Sequence, residues 1–176
     1  MFLLGNLNAE LVKLFTDELK LCEVSPGESI VIASQADTMT GYVEALLAAV
    51  LAVGARGLSI QFPGKRHAPL PNYGRKTLDV DSYIKAEPYA MESLKKADMV
   101  IDVTAEGLVH TKARGITLEN GARMLMIKEP PEILERMFPR KSLRKRVERA
   151  MDMARNAQTM RVVSDAGTDI QVRLDG

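Results

Sequence analysis

The sequence predicts an α/β protein with an open, mostly parallel sheet. Three observations carry that expectation. Short β-branched runs alternate with longer stretches of helical periodicity along the chain. The first strand, helix and strand have the spacing of a βαβ unit with parallel strands. Helix, strand, helix and strand then follow again, and a hairpin signal comes last. Alternation of this kind gives a Rossmann-like sheet with helices on both faces.

Taken in order, LNAELVKLFTDELKLC at 7–22 sets Leu7, Leu11, Leu14, Phe15, Leu19 and Cys22 at helical spacing. Asn8 is its candidate N-cap. SPGE at 25–28 is a turn, and SIVIAS at 29–34 reads as a buried strand. Asp37 or Thr38 then caps a long helix that runs to Gly54. GLSIQFP at 57–63 is the second strand. PGKRHAPLPNYGRKT at 63–77 holds three prolines and two glycines and reads as a long loop. PYAMESLKKA at 88–97 is a helix with Pro88 in its first turn.

DMVIDVT and ARMLMIKE, the latter at 122–129, give the third and fourth strands, with a short helical piece at 112–119 between them. PPEILERMF at 130–138 opens another helix. KSLRKRVERAMDMARNAQ at 141–158 is strongly amphipathic, with Leu143, Val147, Ala150, Met151, Ala154 and Ala157 on one stripe. The end of the chain alternates around Asp165-Ala166-Gly167, a hairpin signal. Residues 1–158 are therefore expected to form the α/β domain. Residues 159–176 form a hairpin that reads as the start of a C-terminal metal-binding domain, because a lone two-stranded ribbon is marginal in water.

Composition narrows the function. Net charge is +1, aromatic residues make up 5%, and there is no tryptophan. Nothing global attracts a phosphate backbone or anionic lipid, and stacking platforms are scarce. Neither a nucleic-acid nor a membrane partner is expected. The basic run RKSLRKRVER at 140–149 lies opposite the apolar stripe and reads as a solvated helix face. The single cysteine excludes an internal disulfide. The apolar runs are too short to span a bilayer and no signal-peptide pattern opens the chain, so a cytoplasmic location is expected.

Chemistry is sparse. No G-x-G-x-x-G or Walker A pattern follows the first strand, and PGKR at 63–66 lacks the rest of a phosphate loop. His67 and His110 both follow candidate strands, and with Asp102 they offer the residue types of a two-histidine, one-carboxylate site without its tight ligand spacing. In MVIDVTAEGLVHT at 99–111, Asp102 lies inside an apolar run and needs a partner if buried. Glu106-Gly107 makes a turn. His110 then stands in the loop after the third strand, where open α/β sheets place ligands. An imidazole there serves as proton donor or acceptor, or is a surface or capping residue. Position alone leaves both readings open.

Three segments together resemble a known family. They are D-x-V-I-D-V-T…L-V-H at 98–110, ARMLMIKEPPEILERMFP at 122–139 and RVVSDAGTD at 161–169. The combination resembles the N-terminal region of the 2,5-dihydroxypyridine 5,6-dioxygenases, which are related to the thermophilic-type leucyl aminopeptidases. The resemblance covers nearly the whole chain and is most specific at Glu129–Pro139.

It implies a ring-cleaving oxidoreductase that uses dioxygen and non-haem Fe(II). It also implies a small dihydroxylated pyridine-type substrate and a homo-oligomer. His110 would be the acid/base group, with Val109 beside it at the substrate. Apart from the resemblance, the long 63–77 loop with Lys65, Arg66 and His67 is expected to gate the site or meet a neighbouring subunit, with His67 as a substrate-binding candidate. In that family the metal ligands lie in a C-terminal domain, so the resemblance assigns none here. This segment alone would bind no iron and be inactive without that domain. The alternatives are the N-terminal domain of a metallo-aminopeptidase-like protein and a non-catalytic binding or oligomerisation module.

Overall fold

A computed structural model describes residues 8–63 and 77–174, with backbone only for Thr77, Leu78, Asp79 and Lys141. The chain forms two compact units, 1–136 and 137–176.

In the first unit, α1 (Ala9–Leu21) begins where expected, with the Asn8 side chain accepting from the N–H groups of Glu10 and Leu11. Strand β1 (Ser29–Gln35) is buried over six of its seven residues. It leads through α2 (Tyr42–Ala52) to β2 (Arg56–Phe62). Helices α3 (Thr77–Ala86) and α4 (Pro88–Lys96) precede β3 (Met99–Asp102), and α5 (Lys112–Glu119) precedes β4 (Arg123–Met126). Helix α6 (Pro131–Met137) follows.

All four strands are parallel, in the order β2-β1-β3-β4. The expected open parallel sheet is therefore what the chain builds. Side chains alternate between its two faces. Ile30, Ile32, Met99 and Ile101 pack under α1 and α2. Val31, Ala33 and Val100 face α3, α4 and α5 on the other side. Helices cover both faces, as parallel strands require.

Two elements depart from the sequence reading. Helix α2 starts at Tyr42, not after Asp37 or Thr38, and Gly41 precedes it at φ +82°. The Thr38 hydroxyl is engaged elsewhere: it accepts from the Gln35 N–H and donates to the Val103 carbonyl. A hydroxyl that joins two strand ends is not free to cap a helix. Helix α3 was not anticipated. Its helical signal in the sequence is little more than Val80 and Ile84 at i, i+4, yet both become fully buried against the sheet. The loop expected over 63–77 lies, from 64 to 76, outside the described residues.

The second unit contains α7 (Lys141–Asn156) and the antiparallel hairpin of β5 (Thr159–Val163) and β6 (Asp169–Arg173). The hairpin matches the expectation. Its turn closes with Gly167 at φ +95° donating to the Ser164 carbonyl, and Arg161 makes a bidentate pair with Asp169. No described residue from 137 to 174 is buried. The apolar stripe of α7 (Leu143, Val147, Met151) and the hairpin side chains Val162, Ile170 and Val172 are 39–53% exposed.

Candidate active-site loop

The strand order reverses between β1 and β3. From β1 the chain steps outward to β2, then crosses back over β1 to lay down β3. At such a point the connections leave in opposite directions and a crevice opens beyond the carboxyl ends of the strands. In this sheet the segments leaving the carboxyl ends at that point are 36–41 after β1 and 103–111 after β3.

The loop after β3 is built around Asp102, which is completely buried. One carboxylate oxygen accepts from the Thr104 N–H at 2.9 Å and from the Thr104 hydroxyl at 2.6 Å. The other accepts from the Leu108 N–H at 2.7 Å and lies 3.3 Å from the Lys128 ammonium. A buried carboxylate is tolerated when paired and hydrogen-bonded on both oxygens. The partner that the sequence required is thus supplied by the loop's own amides and Thr104 hydroxyl and by Lys128, two residues beyond β4.

Further bonds fix the rest of the loop. Lys128 Nζ also donates to the Thr104 carbonyl. The Thr104 hydroxyl accepts from the Gly107 N–H. Gln35, at the end of β1, accepts from the Glu106 N–H at 3.0 Å, and Glu106 itself accepts from the Val80 N–H of α3. Gly107 has φ +83°, and a Cβ there would stand 3.2 Å from Lys128 Cε and 3.3 Å from its Nζ. Only glycine suits both the left-handed backbone and the lysine packed on it. The Leu108 side chain is fully buried with α3, α4 and α5.

Beyond Leu108 the loop reaches solvent. Val109 is 42% exposed and His110 is exposed. Thr111 then ties the chain down again: its hydroxyl donates to the Leu108 carbonyl and accepts from the Arg114 N–H, capping α5. Asp81 of α3 accepts from the Ala113 N–H and is paired with Lys85. Val109 and His110 are therefore a two-residue exposed step between fixed ends, on the carboxyl edge of the sheet.

His67 lies outside the described residues. Among the described residues no group of three His, Cys, Asp or Glu side chains is placed to hold a metal ion. Asp102, whose two oxygens are occupied and neighboured by an ammonium, is poorly suited to ligate one. The described residues thus do not fit a two-histidine, one-carboxylate iron site. Cys22 is half-buried, and burial together with the Glu18 charge pushes its thiol pKa up, away from reactivity at neutral pH. The cleft of about 470 Å³ between Arg56, Leu58, Tyr89 and Lys96 lies at the amino ends of β1 and β2, the opposite edge from His110.

The sequence flagged Asp102, Gly107 and His110, gave Lys128 and Gln35 no role, and read Thr38 only as a helix cap. These three lie 26, 67 and 64 residues or more from the β3 loop's Asp102 in sequence only because the fold, not the spacing, brings them there. A lone lysine after a strand carries no signal that it will meet a buried aspartate on the neighbouring strand.

The fold and this loop define a class: an open parallel α/β domain whose carboxyl edge carries an exposed histidine on a hydrogen-bonded loop. The comparisons specify it further. The family model for 2,5-dihydroxypyridine 5,6-dioxygenase matches residues 10–176, and the chain belongs to that family. It is 28% identical over 167 residues to the 2,5-dihydroxypyridine 5,6-dioxygenase of Pseudomonas putida KT2440, covering 95% of this chain and 47% of the relative. It also superposes on the solved structure of the 2,5-dihydroxypyridine dioxygenase from Pseudomonas putida KT2440, with a TM-score of 0.73 and 26% identity over 93% of this chain and 46% of that one. The chain thus spans about half the length of these relatives, which fits an N-terminal domain. No helix among the described residues is long and apolar enough to cross a membrane.

Proposed function

We propose that this chain is the substrate-covering N-terminal part of a ring-cleaving dioxygenase acting on a dihydroxylated pyridine-type ring, with His110 as its acid/base group. The observation that carries the reading is the position of His110. It is exposed at the carboxyl edge of a parallel sheet, beside the strand-order reversal, in a chain of the dioxygenase family. An imidazole ionises near neutrality and can take a proton from a ring hydroxyl or return one. Val109, half-exposed beside it, offers an apolar contact to the ring, and His67 is assigned to substrate binding with it.

Ferrous iron, in this reading, is held by the C-terminal region that residues 159–176 begin, and supplies the dioxygen chemistry. Leu143, Val147 and Met151 of α7 and Val162, Ile170 and Val172 of the hairpin are 39–53% exposed, and apolar side chains so placed suit contact with further polypeptide. The same surface favours a role in oligomer contact within a cytoplasmic enzyme.

The test mixes this chain with a separately made C-terminal half of the family, adds Fe(II), and follows dioxygen uptake and ring cleavage. Recovered turnover that falls by about 10²–10⁴-fold in His110→Ala supports the acid/base role. Turnover indifferent to that substitution discards it. Hydrolysis of a peptide substrate in place of ring cleavage would favour the metallo-aminopeptidase reading, and association without any turnover the non-catalytic module.

A further inference from the structure

We infer that Asp102 and Lys128 are positioning residues for His110, acting as a buried clamp that sets where the imidazole stands. The inference rests on the acid/base reading of His110 for its consequence in catalysis, but not for its geometry.

The chain from Asp102 to His110 is eight residues of irregular backbone, which ordinarily samples many conformations. Here one carboxylate removes that freedom. It holds the loop's start through Thr104 and its far side through the Leu108 N–H, so the loop folds back on the end of its own strand. Lys128 closes the structure from β4, bonding Thr104 while pairing with Asp102. The two positions that free the chain, Val109 and His110, follow the last of these bonds, and the Thr111 cap fixes the next residue. His110 therefore has its backbone defined from both sides while its ring remains accessible. Catalytic groups gain from this arrangement because a misplacement near 1 Å can cost about 10²-fold in rate.

The side chains also differ from ordinary stability elements in what they touch. Among the described residues the Asp102 carboxylate bonds to the loop and to Lys128 and to no helix. Their removal should disturb the loop selectively, before the sheet.

The experiment uses Asp102→Asn and Lys128→Met in this chain. The protein has two histidines, so its imidazole spectrum holds two signals, and His110→Ala assigns them. Each variant is expected to shift or broaden the His110 signal and to speed amide exchange at Gly107 and Leu108 by about tenfold or more. If Asp102→Asn fails to fold, Lys128→Met decides, since its side chain is 32% exposed and leaves the carboxylate's backbone bonds in place. A folded variant with an unmoved His110 signal and unchanged exchange at Leu108 overturns the inference. In the reconstituted two-half enzyme, either substitution should lower turnover in a wild-type background and have little further effect in His110→Ala. If the imidazole signal moves while turnover ignores both Asp102→Asn and His110→Ala, the acid/base reading fails and the clamp stands.

Discussion

Substitution of Gly107 by alanine probes the loop at its tightest point. Two costs are expected. The first is conformational: at φ +83° a Cβ is disfavoured by about 1–2 kcal/mol. The second is displacement of Lys128, whose Cε and Nζ lie 3.2 and 3.3 Å from the new methyl group. The lysine stem is flexible and can swing away, so the steric cost itself is small. Swinging away, however, breaks its bond to the Thr104 carbonyl and its pairing with the fully buried Asp102. Hydrogen bonds involving a charged group contribute about 1.5–3 kcal/mol. Together these place Gly107→Ala at about 2.5–5 kcal/mol of destabilisation by urea unfolding.

Gly27 provides the control, because it has φ +85° and nothing within 4 Å of its added Cβ. Gly27→Ala should show the conformational cost alone, about 1–2 kcal/mol. Combining Gly107→Ala with Lys128→Met should cost less than the sum of the two single changes, since both remove the same lysine contacts. Equal losses for Gly27→Ala and Gly107→Ala, or strict additivity in the double variant, would refute the role given to Lys128.

Tyr42 is buried, packs edge-on to Phe15 and donates to the Glu129 carbonyl at 2.7 Å, so Tyr42→Phe should cost about 1 kcal/mol at pH 7. Burial, with the Glu132 and Glu129 charges, pushes the Tyr42 hydroxyl up to about 12 from an ordinary 10.0. Below pH 10 both folded and unfolded chains keep the proton; between 10 and 12 only the unfolded chain releases it, so stability falls as pH rises through that window. The gap between wild type and Tyr42→Phe should therefore narrow from pH 7 to 11, and a constant gap would contradict the assignment. Val147→Glu and Val162→Glu replace side chains 48% and 44% exposed, so each should change the stability of this chain by under about 0.5 kcal/mol. The same changes should weaken association with the C-terminal half by tenfold or more, and unaltered association would remove the docking role of that surface.

The local code of this protein is legible in its sequence. Asn8 announces the start of α1, Gly167 the hairpin turn and Pro88 the first turn of α4, because each acts on its own neighbours through backbone dihedrals or a short hydrogen bond. The apolar runs of β1 and β3 announce buried parallel strands for the same reason: two covered faces demand two sets of apolar side chains. His110 could be placed after a strand, on the carboxyl edge of the sheet, by counting alone.

What only the tertiary structure decided is where the polar groups go. Thr38 looked like a helix cap and instead joins the ends of β1 and β3. Val80 and Ile84 were too weak a pattern to mark α3 until the sheet offered a face to bury them. Asp102 declared in the sequence that it needed a partner, but not that Lys128 and two loop amides would provide one. Dihedral preferences and periodicity act over a few residues, so a linear reading captures them. A hydrogen bond between residues on neighbouring strands exists only once strand order brings them together, and strand order is settled by packing the whole sheet.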